Sequence, residues 1–414
     1  MTIAALWAAL AALSQAGPAS QEDATRGQAL HVYLLTFDSG AAIWERFGHN
    51  ALWIHDPVAG TDQAYDYGRF SFREKNFILR FARGKLRYWA GDGAADTYFG
   101  AYRQQQRRIW RQELDLTAAA KAELQRFLAW NVREENKYYD YDYYLDNCST
   151  RIRDAIDRAV GGQLRRFGDS VAPGLTYRQH TRRLTENHPV LYAALMVGLG
   201  QPVDRRLTAW EEMFLPIELR PHLNRVLVRD PDGRVHPLVS EERLVYDSDR
   251  FPVPAQPSSW TPRFLAVGVL LGGWLGLAGR RGARSRAFDW LFRGVALGWA
   301  ILSGLAGVLL VFLWTMTDHR FSTTNENVFQ LNVLSLGLAL ALVLSRRRPS
   351  RVRTSVLRLG ALVALVSLLG LLVKLVPGFD QANLDVIALA LPIHLGVLVG
   401  VWPGSTGHIP KPDC

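Results

Sequence analysis

YYDYDYYLDNCSTRIRDAIDRAV, residues 138–160, passes from a tyrosine-rich, strand-prone run through the polar turn Asp146-Asn147. It then enters a segment whose apolar positions Ile152, Ala155, Ile156 and Ala159 recur at three- and four-residue spacing. That spacing predicts a helix with one apolar face. Cys148, one of two cysteines in the chain, stands at the junction. A thiol in the first turn of a helix meets unpaired backbone N–H groups and the positive end of the helix dipole, and both favour thiolate over thiol. Cys148 is therefore a candidate nucleophile, and the segments around it decide what it can act on.

A cysteine nucleophile needs a base within hydrogen-bond reach and a third group that orients the base. Upstream, residues 30–37 (LHVYLLTF) and 49–56 (HNALWIHD) read as strands, and residues 63–72 (QAYDYGRFSF) as a third, after the turn glycine Gly60. His49, at the Gly48-to-strand junction, is the candidate base. Asp66, on the neighbouring strand, is the candidate orienting group, with Asn50 and His55 near it in sequence. The Cys148 N–H and the Asn147 side chain are candidate donors to a tetrahedral oxyanion; Asn50 and Tyr67 are further positioning candidates. Residues 77–89 fit strand or helix, residues 103–116 read as extended, and Thr117 is an N-cap for a helix reaching about Glu135. Helices are expected at 176–200 and 209–215, and the Asp-Gly turn within 222–239 signals a hairpin.

The chain has 414 residues, a formal charge of +10 and 49% hydrophobic residues. Its mean hydropathy of −0.02 is an average over unlike parts. An Ala/Leu-rich run within residues 1–17 ends in small residues, as a signal peptide or N-terminal anchor does. Residues 27–250 have soluble composition, and residues 251–262 carry four prolines and read as a linker. Five apolar runs follow within 263–403, at 264–278, 294–316, 328–344, 357–376 and 384–402, with a tail at 404–414. The first and third are near the lower limit for spanning about 30 Å of hydrocarbon. Arginines cluster at 280–293 and 346–358, in the loops that face the cytoplasm if residues 27–250 lie outside. This is the positive-inside pattern rather than a nucleic-acid footprint. Cys148 is then outside and Cys414 inside, so no intramolecular disulfide joins them.

The external loop 317–327 (TDHRFSTTNEN) is the most polar interruption of the apolar region, and Asp318, His319, Asn325 and Asn327 are candidates to hold substrate there. His394, inside the fifth run, is costly in lipid and should face other helices. Lys374, near an outer end, can snorkel. No Gly-rich phosphate loop or convincing metal cluster is read from the sequence, and no cofactor is expected.

FGHNALWI, AYDYGRFSF and YDYDYYLDNCSTRIRDAID, together with TDHRFSTTNENVFQLN after the second span, resemble the signature of the Lnb-type lipoprotein N-acyltransferase family. The order of His and Asn-Cys is also similar to that of permuted NlpC-like and lecithin:retinol acyltransferase-like thiol enzymes. The resemblance implies an α+β, permuted papain-like exported domain followed by an all-α domain of five transmembrane helices in a bacterial inner membrane. It implies a substrate, a diacylated lipoprotein in the membrane, and a reaction. An ester-linked acyl chain moves through a Cys148 thioester to the α-amino group of the lipidated N-terminal cysteine, with His49 as the proton carrier, leaving a lyso lipoprotein. Two other readings are a membrane-anchored cysteine amidase or peptidase acting on cell wall, and a non-catalytic sensor or scaffold.

Overall fold

The computed structural model describes residues 21–172, 174–250, 253–282, 285–345 and 349–402. The apolar run at 1–17, the tail 404–414 with Cys414, and the first two residues of the expected linker lie outside the described residues. The chain forms two units. One comprises Met1–Ile78, Lys85–Leu175 and Arg206–Val253; the other comprises Leu79–Gly84, Thr176–Arg205 and Pro254–Cys414.

The first unit is built on one sheet. After helix α1 (Gln21–Gln28) come β1 (His31–Phe37), β2 (His49–Asp56) and β3 (Thr61–Arg69), then α2 (Phe77–Ala82) and β4 (Leu86–Ala94). Next follow α3 (Ala95–Gln104), β5 (Ile109–Leu114), α4 (Ala118–Asn131), β6 (Tyr138–Tyr141), α5 (Cys148–Ala159) and α6 (Gln163–Ser170). The sheet order is β6-β4-β3-β2-β1-β5-β9, antiparallel throughout, where β9 is Val239–Tyr246. Side chains alternate across each strand, so the apolar strands bury both faces. Leu34, Leu52, Ile54, Tyr65 and Tyr67 pack with Leu124, Leu128, Ile152 and Ile156 of α4 and α5. On the other face Leu35, Phe37, Ala51 and Ala64 pack with Ala95 and Tyr98 of α3.

Several sequence expectations change. Residues 77–89 contain both alternatives, α2 and then the start of β4, with the turn at Gly84 (φ +76°) between them. The extended reading of 103–116 holds only from Ile109, because the first residues finish α3, whose Tyr98 and Tyr102 lie on its sheet-facing side. The hairpin is the pair β7 (Leu227–Arg229) and β8 (Val235–Pro237). The strand after it, β9, was not foreseen; it pairs with β5 as a polar edge strand, and charged residues suit an edge.

In the second unit the helical stretch expected at 176–200 consists of α7 (Tyr177–Thr185) and α8 (Pro189–Gly198). Pro189 lacks an N–H and so begins a helix rather than continuing one. The helix expected at 209–215, in the first unit, is the short α9 (Ala209–Glu212), and a further helix, α10 (Pro216–Leu223), starts at the next proline. Among the described residues, five helices are long and apolar enough to cross a membrane: Thr261–Gly282, Arg286–Met316, Glu326–Ser345, Thr354–Leu375 and Leu384–Val401. At 1.5 Å per residue the first, with 22 residues, reaches about 33 Å, whereas the third combines the 3-10 turn Glu326–Phe329 with the 12-residue α-helix Leu334–Ser345. The first and fifth approach closely. A Cβ at Gly268 would lie 2.4 Å from the Ala388 carbonyl oxygen, and one at Gly272 2.2 Å from that of Pro392. Small residues at four-residue spacing let the two backbones pack where lipid offers no hydrophobic driving force.

Buried polar contacts join the helices to their outer connections. The Arg178 guanidinium, fully buried, grips Asp204 at 2.7 and 3.0 Å and donates to the Leu199 and Gly200 carbonyls. His394 is buried against the Trp299 ring at 5.9 Å, on the interior side expected for it. Lys374 does more than snorkel. Its ammonium pairs with the buried Glu326 carboxylate and donates to the Gln381 carbonyl at 2.7 Å.

Candidate active site

Asn147 sets the start of α5. Its Oδ1 accepts the Ser149 and Thr150 N–H groups at 2.8 and 3.0 Å, and its backbone N–H donates to Thr150 Oγ1 at 2.7 Å. Such a cap is worth about 1 kcal/mol. The amide's other end donates to the Tyr143 and Phe214 carbonyls, both at 3.0 Å, so the side chain is fully engaged. The sequence made Asn147 a candidate oxyanion donor; the structure uses it to hold the helix start. The Cys148 N–H, in the first turn, has no intrahelical acceptor and makes no hydrogen bond among the described residues. Gly68 keeps the space in front of it open. Its φ is +90°, and a Cβ there would stand 3.3 Å from Cys148 Cβ.

His49 reaches the same point from the first position of β2. Gly48 before it turns with φ +79°, and a Cβ at that glycine would lie 2.9 Å from the Phe37 carbonyl oxygen. Ala51 pairs with Asp66 across β2 and β3, which places His49 and Asp66 on one face of the sheet. His49 Nε2 lies 3.0 Å from Asp66 Oδ2. Asp66 Oδ1 in turn accepts Arg69 Nε at 2.8 Å and the Tyr98 hydroxyl at 3.0 Å. Gly91 provides room for this arrangement, since a Cβ there would be 2.3 Å from the Arg69 guanidinium carbon. With Nε2 committed to Asp66, Nδ1 is the ring nitrogen left for Cys148, which interacts with His49 both as a nearby charge and as a hydrogen-bond partner.

The electrostatics favour an imidazolium. Burial is the largest influence on His49 and pushes its pKa down. Tyr102, Cys148 and the hydrogen bond to Asp66 together outweigh it, so His49 stands well above its ordinary 6.5. Tyr102 packs on Phe37 at 3.6 Å and lies parallel to the His49 ring at 6.2 Å, while its hydroxyl has no hydrogen-bond partner among the described residues. Burial raises the Tyr102 phenol, against the nearby His49 and Arg107 charges. Arg107 stacks over the Tyr102 ring at 4.6 Å and is 3% exposed; its Nε donates to the Asp38 carbonyl, and its Nη2 is buried without a partner among the described residues.

Tyr98, Tyr102, Arg69 and Arg107 were not singled out from the sequence. The signal was the pair of tyrosines four apart in ADTYFGAYRQ, one turn of helix from each other. No element is read for residues 90–102 from the sequence, and that hid it.

Two other positioning candidates lie elsewhere. Asn50, one residue on from His49, points to the opposite face, fully buried, and its amide donates to the Leu35 carbonyl and Thr36 Oγ1. Only its Oδ1 is unpaired, an acceptor that cannot stabilise an oxyanion. Tyr67 is buried in the core beneath α5, its phenol pushed up by burial. The four loop candidates belong to the second unit. Asn325 and Asn327, both fully buried, donate their amides to the Met196, Val197 and Gly198 carbonyls at the end of α8, which occupies the groups a substrate would need. The Asp318 N–H donates to the Arg83 carbonyl, and His319 Nε2 lies 2.9 Å from that of Phe81. Among the described residues, Glu212, Glu218 and His222 bring ligand-type atoms within 4.8 Å of one another; they belong to α9 and α10, not to the Cys148 site.

A buried carboxylate, an imidazole and a thiol in series can perform acyl transfer: the imidazole takes and returns a proton while the sulfur carries the acyl group. Residues 18–183 match the family model described as the Lnb N-terminal periplasmic domain, and residues 256–401 match that of the Lnb transmembrane domain. No curated protein and no solved structure matches the chain.

Proposed function

The chain belongs to the Lnb family, and from that premise we propose that it is a lipoprotein intramolecular transacylase. It is a multi-pass inner-membrane protein with an extracytoplasmic N-terminal domain. Family membership suggests lipoprotein N-acylation or transacylation. The finer reading rests on one observation, the Cys148–His49–Asp66 series with its Arg69 and Tyr98 supports.

In this reading His49 Nδ1 removes the thiol proton and Cys148 Sγ attacks an ester carbonyl of the diacylglyceryl group. The Cys148 N–H and the unpartnered Tyr102 hydroxyl stabilise the tetrahedral oxyanion. The carbon–oxygen bond breaks, His49 protonates the departing glyceryl oxygen, and a thioester remains on Cys148. The substrate's own α-amino group then attacks the thioester, the carbon–sulfur bond breaks, and the amine proton returns through His49 to the thiol. Because amine and departing alcohol belong to one substrate, the second step is effectively unimolecular, which favours aminolysis over hydrolysis.

The test is mass spectrometry of lipoprotein N-termini from cells carrying wild type, Cys148→Ala or His49→Ala. The lyso, N-acylated form should appear only with wild type, while all three proteins insert in the membrane. An unchanged acyl pattern in the variants rejects the assignment, and altered cell-wall fragments in its place would favour the amidase reading.

A further inference from the structure

Residues 69–87, RFSFREKNFILRFARGKLR, carry seven basic residues against one acidic, Glu74. Within them α2 is almost wholly apolar yet buries none of its side chains. Ile78 is 80% exposed, and Leu79 and Phe81 are about half exposed. Apolar side chains left this exposed either meet water at a cost or meet another apolar phase.

The helix's C-terminal half shows which phase is present. Leu79–Gly84 belongs to the same unit as the membrane-length helices. The Asp318 N–H donates to the Arg83 carbonyl at 2.9 Å and His319 Nε2 lies 2.9 Å from that of Phe81. Gly84 seats the approach, because a Cβ there would be 2.9 Å from His319 N. Asp318 is two residues past Met316, the last residue of the 31-residue second span, and Met316 is itself exposed. The end of a spanning helix lies at the boundary between hydrocarbon and headgroups, so Leu79 and Phe81 are held at that depth.

We propose that the exposed face of α2 forms a lipid-insertion lobe. Its apolar side chains enter the acyl boundary of the outer leaflet, and the surrounding arginines and lysines pair with anionic lipid phosphates. The occupant is the bilayer itself. The charge imbalance is complementary to phospholipid phosphate, and the attachment beside Asp318 fixes the lobe at the interface. The inference stands on membrane insertion and is independent of the acyl-transfer reading.

The experiment uses the full chain in nanodiscs of phosphatidylethanolamine and phosphatidylglycerol containing a phospholipid with a diazirine in its acyl chain. After irradiation, peptides covering α2 should carry lipid adducts, in wild type and in Cys148→Ala alike. An exposed span residue such as Leu302 serves as the positive control. Labelled spans with an unlabelled α2 overturn the proposal, as does crosslinking of α2 to another polypeptide in native membranes in place of lipid. Replacing the anionic lipid by phosphatidylcholine should weaken α2 labelling; equal labelling removes the role given to the basic residues. The double variant Ile78→Glu/Leu79→Glu should lower α2 labelling about ten-fold or more with Cys148 alkylation by iodoacetamide unchanged. Unchanged α2 labelling in that variant also overturns it.

Discussion

Replacing Asp66 by asparagine changes one atom yet should disable His49, for a reason the hydrogen bonds dictate. Asp66 Oδ1 receives two donors, Arg69 Nε at 2.8 Å and the Tyr98 hydroxyl at 3.0 Å. An asparagine at this position must keep its oxygen there and turn its NH2 toward His49 Nε2, now 3.0 Å from a carboxylate oxygen. Nε2 must then accept, so the neutral imidazole carries its proton on Nδ1, the nitrogen left for Cys148, and cannot take the thiol proton. The same wrong-tautomer change in the serine-protease triad costs about 10⁴-fold. A thiol ionises more readily than a serine hydroxyl, so we expect a loss of about 10²–10³-fold in Cys148 acylation, about 3–4 kcal/mol of transition-state stabilisation. Asp66→Ala imposes no tautomer and should be less harmful than Asp66→Asn. The assay is single-turnover acylation of Cys148 by a p-nitrophenyl acyl ester in detergent, with Cys414→Ser as background so that one thiol reports. Wild-type rates in Asp66→Asn, or an alanine variant slower than the asparagine one, would refute the argument.

Tyr102→Phe keeps the stack on Phe37 and removes only the hydroxyl; acylation by the same ester should fall about 10²-fold, whereas alkylation by iodoacetamide, which forms no oxyanion, should stay within about two-fold of wild type. An equal fall in both rates would make Tyr102 a packing residue. The raised His49 pKa also has a stability consequence: protons bind more tightly in the folded state, so this contribution is complete below about pH 6.5 and is lost as pH rises through the elevated folded-state value. The gap in melting temperature between wild type and His49→Gln should therefore narrow from pH 6 to alkaline pH, and a widening gap would contradict the assignment. Arg178→Met leaves Asp204 buried without its partner and should cost about 3–5 kcal/mol, read as a lowered melting temperature in detergent; no change would mean that water replaces the guanidinium.

The sequence by itself determined the candidate nucleophile, its candidate base and the membrane-spanning part of the chain. Each depends on local information. Cys148 is marked by a helix start and its Asn147 cap, His49 by a glycine-to-strand junction, and the spans by runs of apolar residues with arginines in alternate loops. Asp66 was within reach because adjacent strands pair antiparallel, which makes the next strand the natural place to look.

The tertiary structure alone decided the rest, because non-local contacts assign the remaining polar groups. Asn147 and Asn50 have the right chemistry for an oxyanion hole, yet distant carbonyls of Phe214 and Leu35 occupy their amides. Asn325 and Asn327 are likewise taken by α8, nearly 130 residues earlier in the chain. Tyr102 gains its place only when α3 lies on the sheet beside His49, and β9 becomes a strand because β5 offers an edge. Local propensity can announce a reactive group, but whether a polar atom is free to meet substrate depends on what the folded chain has already bonded to it.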